Sequence, residues 1–134
     1  MNIEHFNDLL AAAKAQPLPQ RLLFVFAGVE LPQDASAEQR AAFEAGQGGA
    51  LTPLMCVDKS PEELASFDVL VAEAAQFGHD WALVFSAAMS GTRQQPPTTT
   101  DADLPLQAMV EAIKRGDIGA YLPFDRQGLP VQLG

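Results

Sequence analysis

Amphipathic segments alternate along the chain with short runs that are apolar on both faces. Apolar residues at helical spacing predict helices over residues 3–15, 37–45, 61–77 and 104–115. Each of these segments starts near a capping residue and stops at Pro or Gly. The two-faced apolar runs predict strands over residues 22–27, 51–57 and 81–85. Such strands are typical of a sheet that is covered on both sides.

The C-terminal segment has the pattern of a hairpin. Residues 121–124 and 129–133 flank the turn-forming sequence DRQG at residues 125–128. Pro130 has no backbone N–H, so the second of these strands is expected at an edge of the sheet.

The order of these elements favours right-handed crossovers between parallel strands. We therefore expect one α/β domain over residues 1–134, with α+β as the alternative. The sheet is expected to be mixed and mostly parallel, with about five strands, three to four helices and the C-terminal hairpin. Residues 91–103 are polar, and we expect a mobile loop there, with a functional lid as the alternative.

Composition limits the possible functions without selecting one. The 134 residues are 48% hydrophobic and 19% charged, which fits one globular domain. Lys and Arg number 8 against 17 Asp and Glu, so the formal net charge is −9. This excess of negative charge argues against nucleic acid and anionic membranes as partners, because both would be repelled.

The single cysteine, Cys56, excludes an intramolecular disulfide. It lies within an apolar run, so we expect a buried, inert thiol. His5 and His79 have no metal-ligand spacing, and the chain has no phosphate-binding glycine motif, so neither a metal nor a cofactor is expected. No signal peptide and no apolar run of about 20 residues is present, which predicts a soluble cytoplasmic protein.

Charged residues follow the predicted strands, where ligands bind in open parallel sheets. The candidate ligand-binding residues are Glu30, Asp58, Lys59, Arg93, Asp125 and Arg126. Asp58 has the chemistry of an acid or base, and Lys59 and Arg93 that of anion-binding groups. Solvation of exposed strand ends is the alternative explanation of this pattern.

Four segments, RLLFVFA (21–27), LMCVDK (54–59), WALVF (81–85) and FDRQGLPV (124–131), resemble a family of small uncharacterised proteobacterial proteins. Some members of that family are labelled ribonucleotide reductase alpha subunit. That enzyme needs a large barrel and a redox cysteine pair in addition to a radical cysteine. This chain is too short for the barrel and has one cysteine, so ribonucleotide reductase activity is implausible and the resemblance implies no catalytic residues.

A second, shorter pattern is similar to the N-terminal domain of SseB-like proteins. It consists of VDKSPEEL at residues 57–64 and FDRQG at residues 124–128. This similarity implies a mixed-sheet α+β module without known catalytic residues.

Two functional hypotheses follow from these observations. The first is a non-catalytic binding or interaction module that forms a homo-oligomer or binds a protein partner, since catalytic motifs are absent. The second is an enzyme or sensor that binds a small anionic ligand at the strand-end rim. It requires the charged candidates to converge on one concave site.

Overall fold

The computed structural model of the chain describes residues 3–31, 34–45 and 50–132. Its helices are α1 (Phe6–Lys14), α2 (Ala37–Glu44), α3 (Phe67–Ala75) and α4 (Thr99–Lys114), with a 3₁₀ helix at Pro61–Glu63. Its strands are β1 (Gln20–Glu30), β2 (Ala50–Lys59), β3 (Leu83–Ser90) and β4 (Leu122–Phe124).

The four strands form one sheet in the order β2-β1-β3-β4, and every neighbouring pair is antiparallel. The expected mostly parallel sheet of about five strands is therefore wrong, and the fold is α+β. The connection through α3 does join two strands of the same direction, but β1 lies between them. The helix between β1 and β2 buries none of its side chains, so it does not act as a crossover helix against the sheet.

The predicted C-terminal hairpin is reduced to β4 and a single bridge between Phe124 and Pro130. The Asp125 carboxylate accepts hydrogen bonds from the N–H groups of Gln127 and Leu129 and turns the chain tightly. Pro130 lacks an N–H and cannot extend the ladder. Leu133, the last residue of the expected strand, lies outside the described residues.

Helices cover both faces of the sheet, as the two-faced apolar runs predict. Even-numbered residues 22–26 of β1 pack toward α1 and α3, and odd-numbered residues 23–27 pack toward α4. The central position of β1 explains why residues 22–28 are all buried. The α1 side is built around Phe6, whose ring lies 4.8 Å from Phe67 and 5.2 Å from Phe124 between centroids.

The turn after β4 is fixed to the start of α1. The N–H of Phe6 donates to the Gly128 carbonyl at 2.7 Å, and His5 Nε2 lies 3.0 Å from the Gln127 carbonyl. His5 Nδ1 accepts the N–H of Asn7, so the ring also caps the helix. These contacts join the two ends of the described chain.

The predicted helix over residues 61–77 is interrupted. After the 3₁₀ turn, Leu64 is extended and fully buried, and α3 begins only at Phe67. Burial of Leu64 in the core draws the chain out of helical conformation. The side chain of Asn7 then accepts the N–H of Phe67 at 2.9 Å, which supplies the cap from another element.

The fourth helix begins at Thr99 rather than near residue 104, so residues 99–103 of the expected loop are helical. Thr98 and Asp101 form a reciprocal capping box that starts the helix earlier. Asp103, which directly precedes the predicted start of this helix, lies exposed within α4. The shorter helix α2 starts at residue 37, as predicted, after a capping box formed by Ser36 and Gln39.

Candidate functional site

The six charged candidates fall into two groups because the sheet is antiparallel. Asp58, Lys59 and Arg93 follow or end strands at the end of the sheet where β1 begins. Glu30 and the turn that carries Asp125 and Arg126 lie at the opposite end. A single strand-end rim with all six side chains therefore does not exist.

Asp58 belongs to a group of polar side chains that we call the Arg21 cluster: Arg21, Asp58, Glu63 and Thr99. Arg21 Nε donates to Asp58 Oδ2, and Arg21 Nη2 donates to the Thr99 hydroxyl at 2.8 Å. The same hydroxyl donates to Asp58 Oδ2 at 3.0 Å. The Arg21 and Asp58 side chains are only 12% and 13% exposed. The cluster joins β1, the end of β2 and the start of α4.

Glu63 closes the cluster on its solvent side. Its carboxylate accepts hydrogen bonds from the Ser60 hydroxyl and N–H, and Arg21 Nη1 lies 3.8 Å away. The hydrogen bonds from Ser60, with a smaller contribution from the Arg21 charge, lower the pKa of Glu63 below its ordinary value. This exposed group therefore adds a small stabilisation that is lost as the pH falls through its depressed pKa.

Contacts within the fold also involve three of the other charged candidates, Lys59, Asp125 and Arg126. Lys59 Nζ forms a 2.9 Å ion pair with Glu73 on α3. Arg126 lies over the Trp81 ring at 5.2 Å and reaches Asp80 at 3.3 Å, while Asp125 holds the turn after β4. Glu30 and Arg93 are exposed. The described contacts of Lys59, Asp125 and Arg126 thus stabilise the fold.

β2 lies at one edge of the sheet. In the described part of the chain, β1 is the sole strand that pairs with it. Its register with β1 shifts between Phe26 and Ala27, so that Pro53 pairs with Ala27 and Leu54 is the extra residue. After this bulge, residues 55–59 run in regular register. An unpaired edge of this kind offers N–H and C=O groups to a further strand.

A cleft, here called the α4 cleft, lies on one face of this edge strand. It has a volume of about 390 Å³. Its lining consists of Cys56, Asp103, Leu106, Gln107, Val110 and Glu111. Cys56 is the one described strand residue in that lining, so the cleft lies between the edge strand and α4.

A second cleft, here called the α3 cleft, lies on the other face of β2. It has a volume of about 140 Å³. Its lining consists of Phe26, Met55, Val57, Lys59, Leu70, Glu73, Ala74 and Phe77. Phe77, just beyond the end of α3, is 62% exposed, although it is a large aromatic side chain. The edge strand therefore has an apolar depression on each of its two faces.

The expectation of a buried thiol at Cys56 is wrong, because its side chain is exposed. The reason is the edge position of β2, where the residue faces the α4 cleft and not a packed core. Partial desolvation in this position, together with the Asp58 charge, raises the pKa of Cys56 above its ordinary value. The thiol is thus accessible but largely protonated near neutral pH.

We expect Cys56 to react with maleimide in the folded protein without denaturant, because it is exposed. Its reaction at pH 7 should be slower than that of free cysteine, because a raised pKa leaves less thiolate. The rate should continue to rise with pH above the range where free cysteine levels off. Mass spectrometry of timed samples measures this rate. A reaction that needs denaturant would contradict the described exposure.

Among the described residues, no group of three or more His, Cys, Asp or Glu side chains is placed to hold a metal ion. In the same part of the chain, no helix has the length and apolarity needed to cross a membrane.

No pattern in the sequence identifies the clefts beside β2. Pro53 inside a predicted strand was a signal for an edge position, and it pointed to the correct strand. The sequence does not predict that Asp103 and Glu111 line the α4 cleft, because their position depends on how α4 packs across the sheet. Arg21 was not among the predicted site residues, because it precedes an apolar run and lies far in sequence from Asp58 and Thr99.

Comparison of the chain with protein-family models, with curated proteins and with solved structures gave no match. The resemblances described from the sequence therefore stay predictions.

Proposed function

We propose that the protein is a non-catalytic interaction module that binds an extended segment of a partner at the open edge of β2. The observation that carries this proposal is the regular edge at residues 55–59, whose outer side no described strand covers, with an apolar cleft on each face. This mode of recognition adds a strand to an existing sheet.

The two clefts match the geometry of an added strand. Main-chain hydrogen bonds to β2 would supply affinity, and successive side chains of the added strand would point to opposite faces. One set of alternate side chains would enter the α4 cleft and the other set would enter the α3 cleft. A flat apolar patch would lack this alternation.

The bulge at Leu54 limits the binding segment. Pro53 has no N–H to donate, and an extra residue interrupts the ladder beside it. Such features prevent indiscriminate pairing along the edge of a sheet. Regular pairing is therefore restricted to the residues after the bulge, where both clefts lie.

The charged residues support a binding module over an enzyme. Asp58, the candidate acid or base, is engaged by Arg21 and Thr99, and Lys59 is paired with Glu73. Arg93 lies at the same end of the sheet as these two residues, but Glu30, Asp125 and Arg126 lie at the other end. These arrangements favour a structural role for them.

Selection of random peptides displayed on phage, followed by affinity measurements on variants, tests this function. We expect peptides that bind the unmodified protein to lose about tenfold or more in affinity when Phe77→Ala removes a wall of the α3 cleft. Alkylation of the single cysteine, which fills the α4 cleft, should have the same effect. Leu122→Ala is the matched control, because it removes an exposed apolar side chain from β4 at the opposite edge.

Binding that is lost equally in the Leu122→Ala control would contradict the proposal. So would peptides whose affinity is unchanged by Phe77→Ala and by alkylation of Cys56. A third contradictory result is the absence of any enriched peptide in repeated selections.

A further inference from the structure

The geometry points to the chemistry of the partner: we propose that the added strand alternates basic and apolar side chains, with the basic ones facing α4. This inference rests on the proposed function and specifies it. It follows from the different charge of the two clefts.

The α4 cleft combines an apolar floor with an acidic wall. Leu106 and Val110 form the apolar part, and Asp103, Gln107 and Glu111 follow each other at intervals of four residues along α4. Residues with this spacing lie on one side of a helix. A Lys or Arg side chain can lay its aliphatic stem on the apolar part and bring its charge to the carboxylates.

The cations near this cleft leave its negative charge largely uncompensated. Lys114 lies 3.5 Å from Glu111, but both side chains are more than half exposed, so this pair is weak. The Arg21 guanidinium is directed to Asp58 and Thr99. Asp103 therefore faces the cleft as an exposed carboxylate available to a partner's cation.

The α3 cleft has a different character. Among the described residues that line it, the charged ones are Lys59 and Glu73, which neutralise each other in a 2.9 Å ion pair. The remaining lining consists of apolar side chains, including the exposed Phe77. This cleft favours apolar side chains of the partner.

The same charges disfavour a second copy of this chain as the occupant. Two β2 edges paired about a two-fold axis would place α4 of each copy on the same face, across the new strand pair. The acidic residues Asp103 and Glu111 would then oppose their counterparts. A net charge of −9 on each chain adds to this repulsion and attracts basic partners instead.

Three eight-residue peptides test the inference: one alternating Val with Lys, one Val with Thr and one Val with Glu. We expect the lysine peptide to bind about tenfold or more tightly than the threonine peptide, and the glutamate peptide more weakly than both. The advantage of the lysine peptide should shrink between about 50 and 300 mM salt, because exposed charges are screened. Fluorescence anisotropy with labelled peptides measures each Kd.

Variants of α4 show whether the preference arises in the α4 cleft. The double variant Asp103→Asn/Glu111→Gln should reduce the affinity for the lysine peptide to about that for the threonine peptide. Glu4→Gln/Asp68→Asn is the matched control: it removes the same charge from exposed positions on the opposite face of the sheet. It should retain the preference for lysine.

The outcomes separate this inference from the proposed function. If the glutamate peptide binds as tightly as the lysine peptide or more tightly, and Phe77→Ala still weakens binding, the basic partner would be overturned and strand addition retained. A dimer in sedimentation velocity that dissociates on alkylation of Cys56 would also overturn the basic partner and retain strand addition. The added strand would then come from a second copy of this chain. Peptide binding that is insensitive to changes in both clefts would overturn both proposals.

Discussion

Gly128→Ala should destabilise the protein by about 2–4 kcal/mol, from backbone strain and from steric overlap together. Gly128 has a φ of +82°, a conformation that L side chains rarely adopt. A Cβ at this position would lie 2.7 Å from His5 Nε2 and 3.0 Å from the Phe67 ring. The turn would have to move away from α1, which would also weaken the hydrogen bond between the Phe6 N–H and the Gly128 carbonyl.

Urea denaturation monitored by the fluorescence of Trp81 measures this loss. Gly116→Ala is the matched control, since its φ of +76° is similar and a Cβ added there would meet no atom of a non-neighbouring residue within 4 Å. The control should lose only the strain contribution, about 1 kcal/mol. Equal losses in the two variants would show that the contact between the turn and α1 contributes nothing.

Asp58→Ala should destabilise the protein by about 2–4 kcal/mol, because it leaves the Arg21 guanidinium almost buried without its carboxylate. Thr99 would also lose its acceptor at Asp58 Oδ2. The double variant Arg21→Met/Asp58→Leu should recover part of this loss, because neither of the two nearly buried charges then remains.

Asp80→Ala is the matched control for the ion pair. It removes a carboxylate from the pair with Arg126, where Asp80 is 98% exposed, so its effect should stay below about 1 kcal/mol. Equal effects of Asp58→Ala and Asp80→Ala in urea denaturation would exclude a structural role for the Arg21 cluster. The position of Asp58 at a strand end would then need another explanation.

The sequence was sufficient to place most elements, because they depend on local patterns. β1 follows from a run of apolar residues, and α2 from the capping box of Ser36 and Gln39. α3 and α4 were less well predicted, because their first turns depend on distant contacts or on a competing cap. Asn7, which caps α3, belongs to a different helix.

Strand order and direction could not be predicted from the same patterns. Alternating strands and helices suggested a parallel sheet, but no local signal shows that β1 would lie between β2 and β3. This error also affected the candidate site, because the strand-end rule applies to parallel sheets. Because the strands pair antiparallel, Asp58 and Arg126 lie at opposite ends of the sheet.

The exposure of Cys56 could not be predicted either, because it depends on strand order. Its neighbours Met55 and Val57 are apolar, and in a central strand the thiol would have been buried. At the edge of the sheet the same residue faces the α4 cleft instead. The proposed binding site therefore depends more on the edge position of β2 than on the identity of any single residue of that strand.

Amide hydrogen exchange along residues 55–59 tests most directly whether the β2 edge is open and accepts a strand. In an edge strand, alternate N–H groups point away from the sheet and exchange rapidly, while the intervening ones pair with β1. We predict this alternation in the free protein, and protection of the rapidly exchanging amides when the lysine peptide binds. Uniform protection in the free protein, or binding that leaves these amides unprotected, would contradict the account.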